Sequence, residues 1–392
     1  MNKKLLNTGV QEYIQNNLNT DIVSVILQKS PFEGITPQEL AQQIQGLQKA
    51  REKLYSWTVV PGIYYPPKLN MEQCSHELAA DSKAALVRGE ILVDLTGGFG
   101  VDAYYMSQRV GALHYCETDP ELAAIAAHNF ATLGAKNIEV HTGDGLVILK
   151  ELVSRGVRPD WIYADPSRRH QKKGKVIRLE DYLPNIPANL EFLLEAAPNV
   201  LLKTSPMLDI AAGCRSLGPV QEIHLADTGK EVKELVWYIR RGYEGETRRC
   251  VMANYRDTTW TFEFTASEEA TAECDISPPL KYLFEPTPAL MKAGGFKLLG
   301  QQFNVSKLHP HTHLFTSDQA VDFPGRQFII RQVFPYKPGK LGIAKANVSA
   351  RNFPETVNTI RKRNKIQPGG DRYLFFVRTA DESLQVLDCE PV

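Results

Sequence analysis

"VDLTGGFG", residues 93–100, decides the reading of this chain. It closes the short apolar run "ILVDL" (91–95) with an acid and then sets Gly97, Gly98 and Gly100 close together. A run of this length bounded by glycine reads as a buried strand. Glycine turns sharply and lets the backbone approach a ligand, and a following helix aims its first N–H groups at the loop. Asp94 then stands at a strand end, and Thr96, Gly98 and Gly100 fill the three glycine positions of a D-x-G-x-G-x-G loop. The stretch also matches G-x-G-x-x-A through Gly98, Gly100 and Ala103, so the loop alone fits a dinucleotide equally well.

The neighbouring sequence separates the two. Apolar runs "ALHYCE" (112–117), "IEVHTG" (138–143), "WIYAD" (161–165) and "VLLKT" (200–204) alternate with stretches of helical periodicity. That order predicts right-handed crossovers and a mainly parallel sheet covered on both faces. "VQEIHLAD" (220–227) and "ELVWYIRR" (234–241) predict a hairpin that finishes the sheet at one edge. The second strand ends at Glu117, the third in "TGDGL" with Asp144 and Gly145, and the fourth in "YADPSRR" (163–169) with Asp165. Four acidic strand ends thus share the carboxyl edge, where open α/β sheets bind ligands. Glu117 suits a ribose diol and Asp144 a nucleobase amine. A dinucleotide enzyme uses the glycines and Glu117 but gives no reason for Asp144 or for Asp165-Pro166.

Over roughly 86–245 this array resembles the class I S-adenosylmethionine-dependent methyltransferases. The resemblance implies a Rossmann-like α/β sheet and S-adenosyl-L-methionine as cofactor. It implies that Gly98 and Gly100 border the methionine moiety and that Asp94 orients the loop or the ligand's amino group. Glu117 would bind the ribose, and Asp144 with Gly145 the adenine; Thr96 departs from the usual glycine. "ADP" at 164–166 resembles the motif of nitrogen methylases, but Ser167, Arg168 and Arg169 follow where a proline and an aromatic residue are usual. Asp165 would take a hydrogen bond from the acceptor N–H, with Pro166 aiming the adjacent carbonyl. Lys203 reads as a solvated strand-end lysine. With Asp165 it also resembles part of the Lys-Asp-Lys-Glu set of ribose methyltransferases, whose other members have no placed counterpart. "RRHQKKGKVIR" (168–178) holds six basic residues and no acid. Arginine grips phosphate in a bidentate fork and stacks on bases, so Arg168 and Arg169 suit a polyanion, with RNA first. A solvated loop and an anionic small molecule stay open.

Flanking segments complete the division. Residues 1–85 read as a helical domain, with Thr36 as N-cap, Pro37 in the first turn and Glu39 closing a capping box. "NMEQCSHELAADSKAALV" (70–87) reads as one further helix, whose Gln73, Ser75 and His76 reach the cofactor pocket or pack against the sheet. The segment 246–320 is a connector with a small module that resembles a ferredoxin-like domain. Residues 321–392 resemble the THUMP-like domain of a group of bacterial proteins named as methyltransferases largely for their fold. There Lys340, Lys345, Arg351, Arg361, Lys362, Arg363 and Lys365 are candidates to track phosphates. His309, His311 and His313 alternate along one expected strand face, and a metal is not expected from a single element.

Composition narrows the class. The net formal charge is zero, so any affinity for nucleic acid must be local. Six separated cysteines without a CxxC pair argue against a zinc ribbon and for reduced thiols in a cytoplasmic setting. No apolar run is long enough for a membrane span, and the first residues lack a secretory core. The expectation is an RNA methyltransferase acting at a base nitrogen. Its rivals are a small-molecule methyltransferase with an anionic substrate and a non-catalytic protein that binds donor and RNA. An NAD-linked oxidoreductase is more distant.

Overall fold

The computed structural model describes residues 1–168, 178–339 and 341–392, and nothing of the Arg168 side chain. Arg169 and the lysines at 172, 173, 175 and 340 lie outside the described residues. The chain divides into two compact units. The first comprises Met1–Thr204, Arg215–Pro219 and Tyr238–Tyr243; the second comprises Ser205–Cys214, Val220–Trp237 and Glu244–Val392.

In the first unit, five parallel strands form the predicted sheet: β1 (Gly89–Asp94), β2 (Val110–Glu117), β3 (Ile138–Thr142), β4 (Trp161–Ala164) and β7 (Asn199–Thr204). Their order is β7-β4-β1-β2-β3. The chain winds from β1 outward through β2 to β3 and then crosses back to β4 on the other side. The crevice beyond the ends of β1 and β4 is therefore the topological switch point, the preferred ligand position in such sheets. A two-residue ladder pairs β5 (Ser167–Arg168) with β6 (Tyr182–Leu183) just after β4.

Helices precede the sheet as the sequence predicts. Thr36 caps Pro37–Lys53, and its capping box with Glu39 is formed in both directions, worth about 1 kcal/mol. Trp57 is wholly buried and packs on Phe99 of the glycine loop with ring centroids 5.3 Å apart. Such an aromatic pair adds roughly 0.5–1.5 kcal/mol beyond area burial, and it ties the helical region to the loop. One expectation fails here. Residues 70–87 are not one helix but two, Lys68–Gln73 and Glu77–Ala84. His76 caps the second by accepting the Leu78 N–H at its Nδ1 (3.2 Å), so the chain is extended at Cys74–His76.

The second unit holds β8 (Val220–Asp227) and most of β9 (Val232–Arg240), joined by the expected tight turn with Thr228 N–H on the Glu231 carbonyl. The hairpin does not end its sheet. β8 pairs in parallel with β10 (Arg248–Tyr255), which pairs antiparallel with β11 (Thr258–Phe264). Strand β10 went unread because "RRCVMANY" (248–255) is too polar at its ends to stand out.

A separate seven-stranded sheet follows: β12 (Tyr282–Pro286), β13 (Ser306–His309), β14 (Thr312–Ser317), β15 (Gly325–Pro335), β16 (Asn347–Arg351), β17 (Tyr373–Arg378) and β18 (Leu384–Pro391). Its order, β13-β14-β12-β15-β18-β17-β16, makes one sheet of the whole carboxyl-terminal part. The three histidines do not share a strand face. His309 ends β13, His311 sits in the turn, and His313 lies in β14 stacked on Phe296, with centroids 3.7 Å apart. Burial first, then nearby cationic groups, pushes the His313 imidazole down to about 4. Among the described residues, no helix is long and apolar enough to cross a membrane.

Candidate functional site

The switch-point crevice is built from backbone first. Gly97 donates to the Cys116 carbonyl (2.8 Å), and a Cβ at Gly97 would lie 2.2 Å from the Tyr115 ring. Gly100 takes φ +86° at the start of the helix Val101–Ser107, where a Cβ would meet Phe130 at 2.5 Å. Gly98 also has positive φ, yet a Cβ there would have nothing nearer than 3.9 Å. Packing explains Gly97 and Gly100; at Gly98 backbone conformation is the constraint and the space in front is open.

Of the four predicted strand-end acids, Asp94, Glu117 and Asp165 are hydrogen-bonded to this loop, and Asp144 is fixed by its own helix. Glu117 accepts the Gly98 N–H at Oε2 (2.8 Å) and the Asp119 N–H at Oε1 (2.8 Å). Oε1 also accepts the Thr118 hydroxyl (3.1 Å); a carboxylate has about four acceptor positions, so Oε2 keeps capacity for a further donor. Asp144 caps the helix Gly145–Ser154, its Oδ1 accepting from Leu146 and Val147 (2.9 and 3.1 Å). At Gly145 a Cβ would stand 2.3 Å from the Leu95 carbonyl oxygen, so glycine lets the third loop press against the first.

Thr96, which replaces the usual glycine, joins β1 to β4. Its Oγ1 accepts the Asp165 N–H at 2.6 Å and faces Asp94 Oδ1 at 3.4 Å, while its N–H donates to that oxygen at 2.9 Å. Glycine has no hydroxyl to make this bridge. Asp94 is 1% exposed. Burial, opposed by the Thr96 N–H and assisted by the charges of Asp102, Asp165 and Glu117, pushes its carboxyl up to about 8.

This has a consequence for stability. The folded protein holds the Asp94 proton to about pH 8, whereas an unfolded aspartate releases it near 3.8. The stabilising contribution is full below pH 4 and is lost as pH rises toward 8. Asp94→Asn is therefore expected to gain thermal stability relative to wild type between pH 5 and pH 8. Melting curves at the two pH values check this, and a pH-independent difference would contradict it.

The largest departure from the sequence reading is a buried charge ladder behind Asp165. Lys203 is not solvated: its side chain is 12% exposed, and Nζ donates to Asp165 Oδ2 at 2.7 Å and to Ser75 Oγ at 3.1 Å. Lys203 also lies 3.9 Å from Asp102 Oδ2. Asp102 Oδ2 accepts hydroxyl bonds from Ser75 and Tyr163, both 2.8 Å, and its Oδ1 pairs with Lys83 Nζ at 3.3 Å. The Lys83 side chain is 2% exposed. Burial alone would raise the Asp102 carboxyl; Lys83 and Lys203, with the two hydroxyls, hold it below the usual range instead. The alternation Lys83, Asp102, Lys203, Asp165 leaves no net charge, and only Asp165, 36% exposed, faces outward. Ser75 reaches this ladder because the helix is broken at Cys74–His76. Sequence reasoning missed Lys83, Asp102 and Tyr163. The available signal was Lys83 among Ala80, Ala84 and Val87, a lysine on an apolar helix face.

Pro166 is buried, and Ser167 and Arg168 continue into the short β5–β6 ladder. In the second unit, two proposed phosphate-tracking arginines are already engaged. Arg351 donates to buried Glu285 at 2.7 Å, and Arg363 to Glu355 at 2.7 Å.

Comparison with known proteins bears on the whole chain. A ferredoxin-like domain family matches residues 282–324, and a THUMP domain-like family matches 325–391. A crystal structure from Porphyromonas gingivalis W83, described as a candidate methyltransferase, is 29% identical with a TM-score of 0.83; the match covers 100% of this chain and 99% of that one. The chain is also similar to an uncharacterized S-adenosylmethionine-dependent methyltransferase of Mycobacterium tuberculosis (strain ATCC 25618 / H37Rv). Those two are 21% identical over 250 residues, 64% of this chain and 64% of the relative. An uncharacterized RNA methyltransferase of Lactococcus lactis subsp. lactis (strain IL1403) is 28% identical over 91 residues, 23% of this chain and 20% of that relative. The chain thus spans less than two thirds of the length of either curated relative. The fold is a methyltransferase-type α/β sheet followed by ferredoxin-like and THUMP-like parts.

Proposed function

We propose that this chain, built on the sheet of the class I methyltransferases, transfers a methyl group from S-adenosyl-L-methionine to a base nitrogen of RNA. The observation that carries the reading is Asp165. It stands at the switch point beside the glycine loop, fixed at its backbone by Thr96 and at Oδ2 by Lys203, with a third of its side chain open.

The crevice suits the donor. Gly98 leaves room for a methionine moiety, Glu117 keeps acceptor capacity at Oε2 for a ribose hydroxyl, and Asp144 with Gly145 edges the adenine position. Bound there, S-adenosylmethionine supplies an electrophilic methyl carbon on a sulfonium. The protein's own task is then to present an acceptor lone pair at near-attack distance. Asp165 Oδ1, which Lys203 leaves open, accepts an N–H of the acceptor base, while Pro166 stiffens the turn that aims it. Lys203 donates to two oxygens at once, so its role is to orient Asp165 rather than to take a proton.

On this reading residues 86–245 are the methyltransferase domain, and the helical domain 1–85 completes its site through Ser75 and Lys83. Residues 246–320 and 321–392 form the connector with its ferredoxin-like module and the THUMP-like domain. RNA is favoured over an anionic small molecule by the basic 168–178 segment, by the match to a THUMP domain-like family, and by similarity to a protein named as an RNA methyltransferase. Arg168 and Arg169 are assigned to the RNA backbone. The test is transfer of labelled methyl from S-adenosylmethionine to total RNA of a strain lacking this gene. Label in RNA that nuclease releases as a methylated nucleoside is expected; label confined to small molecules would reject RNA as substrate.

A further inference from the structure

His114 on β2 and Glu139 and His141 on β3 converge on one point of the sheet. The parallel register pairs His114 with Glu139 and Cys116 with His141, so the three side chains leave the same face. His114 Nδ1 lies 3.0 Å from His141 Nε2 and 3.3 Å from Glu139 Oε2, and His141 Nε2 lies 3.5 Å from Glu139 Oε1.

With both imidazoles neutral and Glu139 ionised, no placement of protons satisfies these three contacts. A single proton between the rings leaves one nitrogen lone pair facing a carboxylate oxygen. Protons on both nitrogens set two N–H groups head to head. A cation at the centre removes the conflict, because all three groups then point lone pairs at it. The spacing is close to what an ion needs: ligands about 2.0–2.2 Å from a tetrahedral Zn2+ are about 3.3–3.6 Å from one another. Two imidazoles and a carboxylate are also a donor set that suits zinc.

We infer that His114, His141 and Glu139 bind one Zn2+ ion that clamps β3, the edge strand of the first unit, to β2. The ligands come from two strands, and the side chains are 12%, 21% and 65% exposed in that order, so the ion has an open side. His114 precedes Glu117 by three residues, as His141 precedes Asp144. The ion therefore fixes the spacing of the two strand ends that carry these acids. Glu222, His224 and Cys250 form a second cluster in the other unit. There Arg248 acts on the same glutamate, and burial, with Glu222 and Glu263 adding to it, pushes the thiol up to about 12. That cluster serves as the control.

The experiment is calorimetric titration of Zn2+ into chelator-treated full-length protein, with Co2+ absorption as a second readout. Wild type is expected to bind one equivalent. Glu139→Gln, at an exposed side chain that folding tolerates, and His141→Ala should each weaken binding by more than about tenfold. His224→Ala should leave it unchanged. The inference is overturned if wild type takes up no stoichiometric zinc, if both ligand variants bind like wild type, or if only His224→Ala loses binding.

Discussion

Asp165→Ala is expected to slow methyl transfer to RNA by about 10²–10⁴-fold, with affinity for S-adenosylhomocysteine changed only a few-fold. The substitution removes the one ladder group that faces the crevice and leaves the glycine loop, Glu117 and Asp144 in place. Lys203 keeps Ser75 and Asp102 as neighbours, although the ladder then holds two ammonium groups against one carboxylate. Loss of rate without loss of donor binding is the signature of a group that acts on the acceptor. Initial rates with labelled donor at saturating RNA measure it. Equal rates for variant and wild type would remove Asp165 from the reaction.

Asp102→Ala should destabilise the first unit by roughly 3–5 kcal/mol, because removing one partner of a buried ion pair leaves an uncompensated charge. Here two ammonium groups lose a shared carboxylate, and one of them, Lys83, is almost inaccessible to water. Ser75 and Tyr163 lose an acceptor as well. The urea midpoint should fall accordingly, and adding Lys83→Met should recover part of the loss by removing the stranded charge. A midpoint unchanged by Asp102→Ala would show that the ladder is open to solvent.

What the sequence disclosed was local. The five parallel strands are legible as apolar runs between helical stretches, and the capping box of Thr36 and Glu39 announces its helix. Asp94, Glu117, Asp144 and Asp165 are legible because a strand end is a position along the chain, and the sheet order gathers all four. What stayed hidden depends on contacts distant in sequence. Ser75 meets Lys203 across 128 residues. The break at Cys74–His76 carries no proline or glycine, only a histidine whose imidazole caps the next helix. Thr96 looked like a defect in a glycine motif and turned out to be the link between β1 and β4. Arg351 looked free for phosphate because nothing local shows the buried Glu285 that holds it. The edge position assigned to the 220–241 hairpin failed for the same reason: β10 pairs with β8 in parallel, and no turn signal marks a parallel neighbour.

The claim on which the rest depends is that the four strand ends form a donor site. Calorimetric titration of S-adenosylhomocysteine into wild type and Glu117→Ala tests it most directly. One site per chain is predicted in wild type. In the variant, loss of hydrogen bonds to a charged acceptor should weaken binding on the order of tenfold to a hundredfold. No binding to wild type, or binding of NADH in its place, would contradict the account.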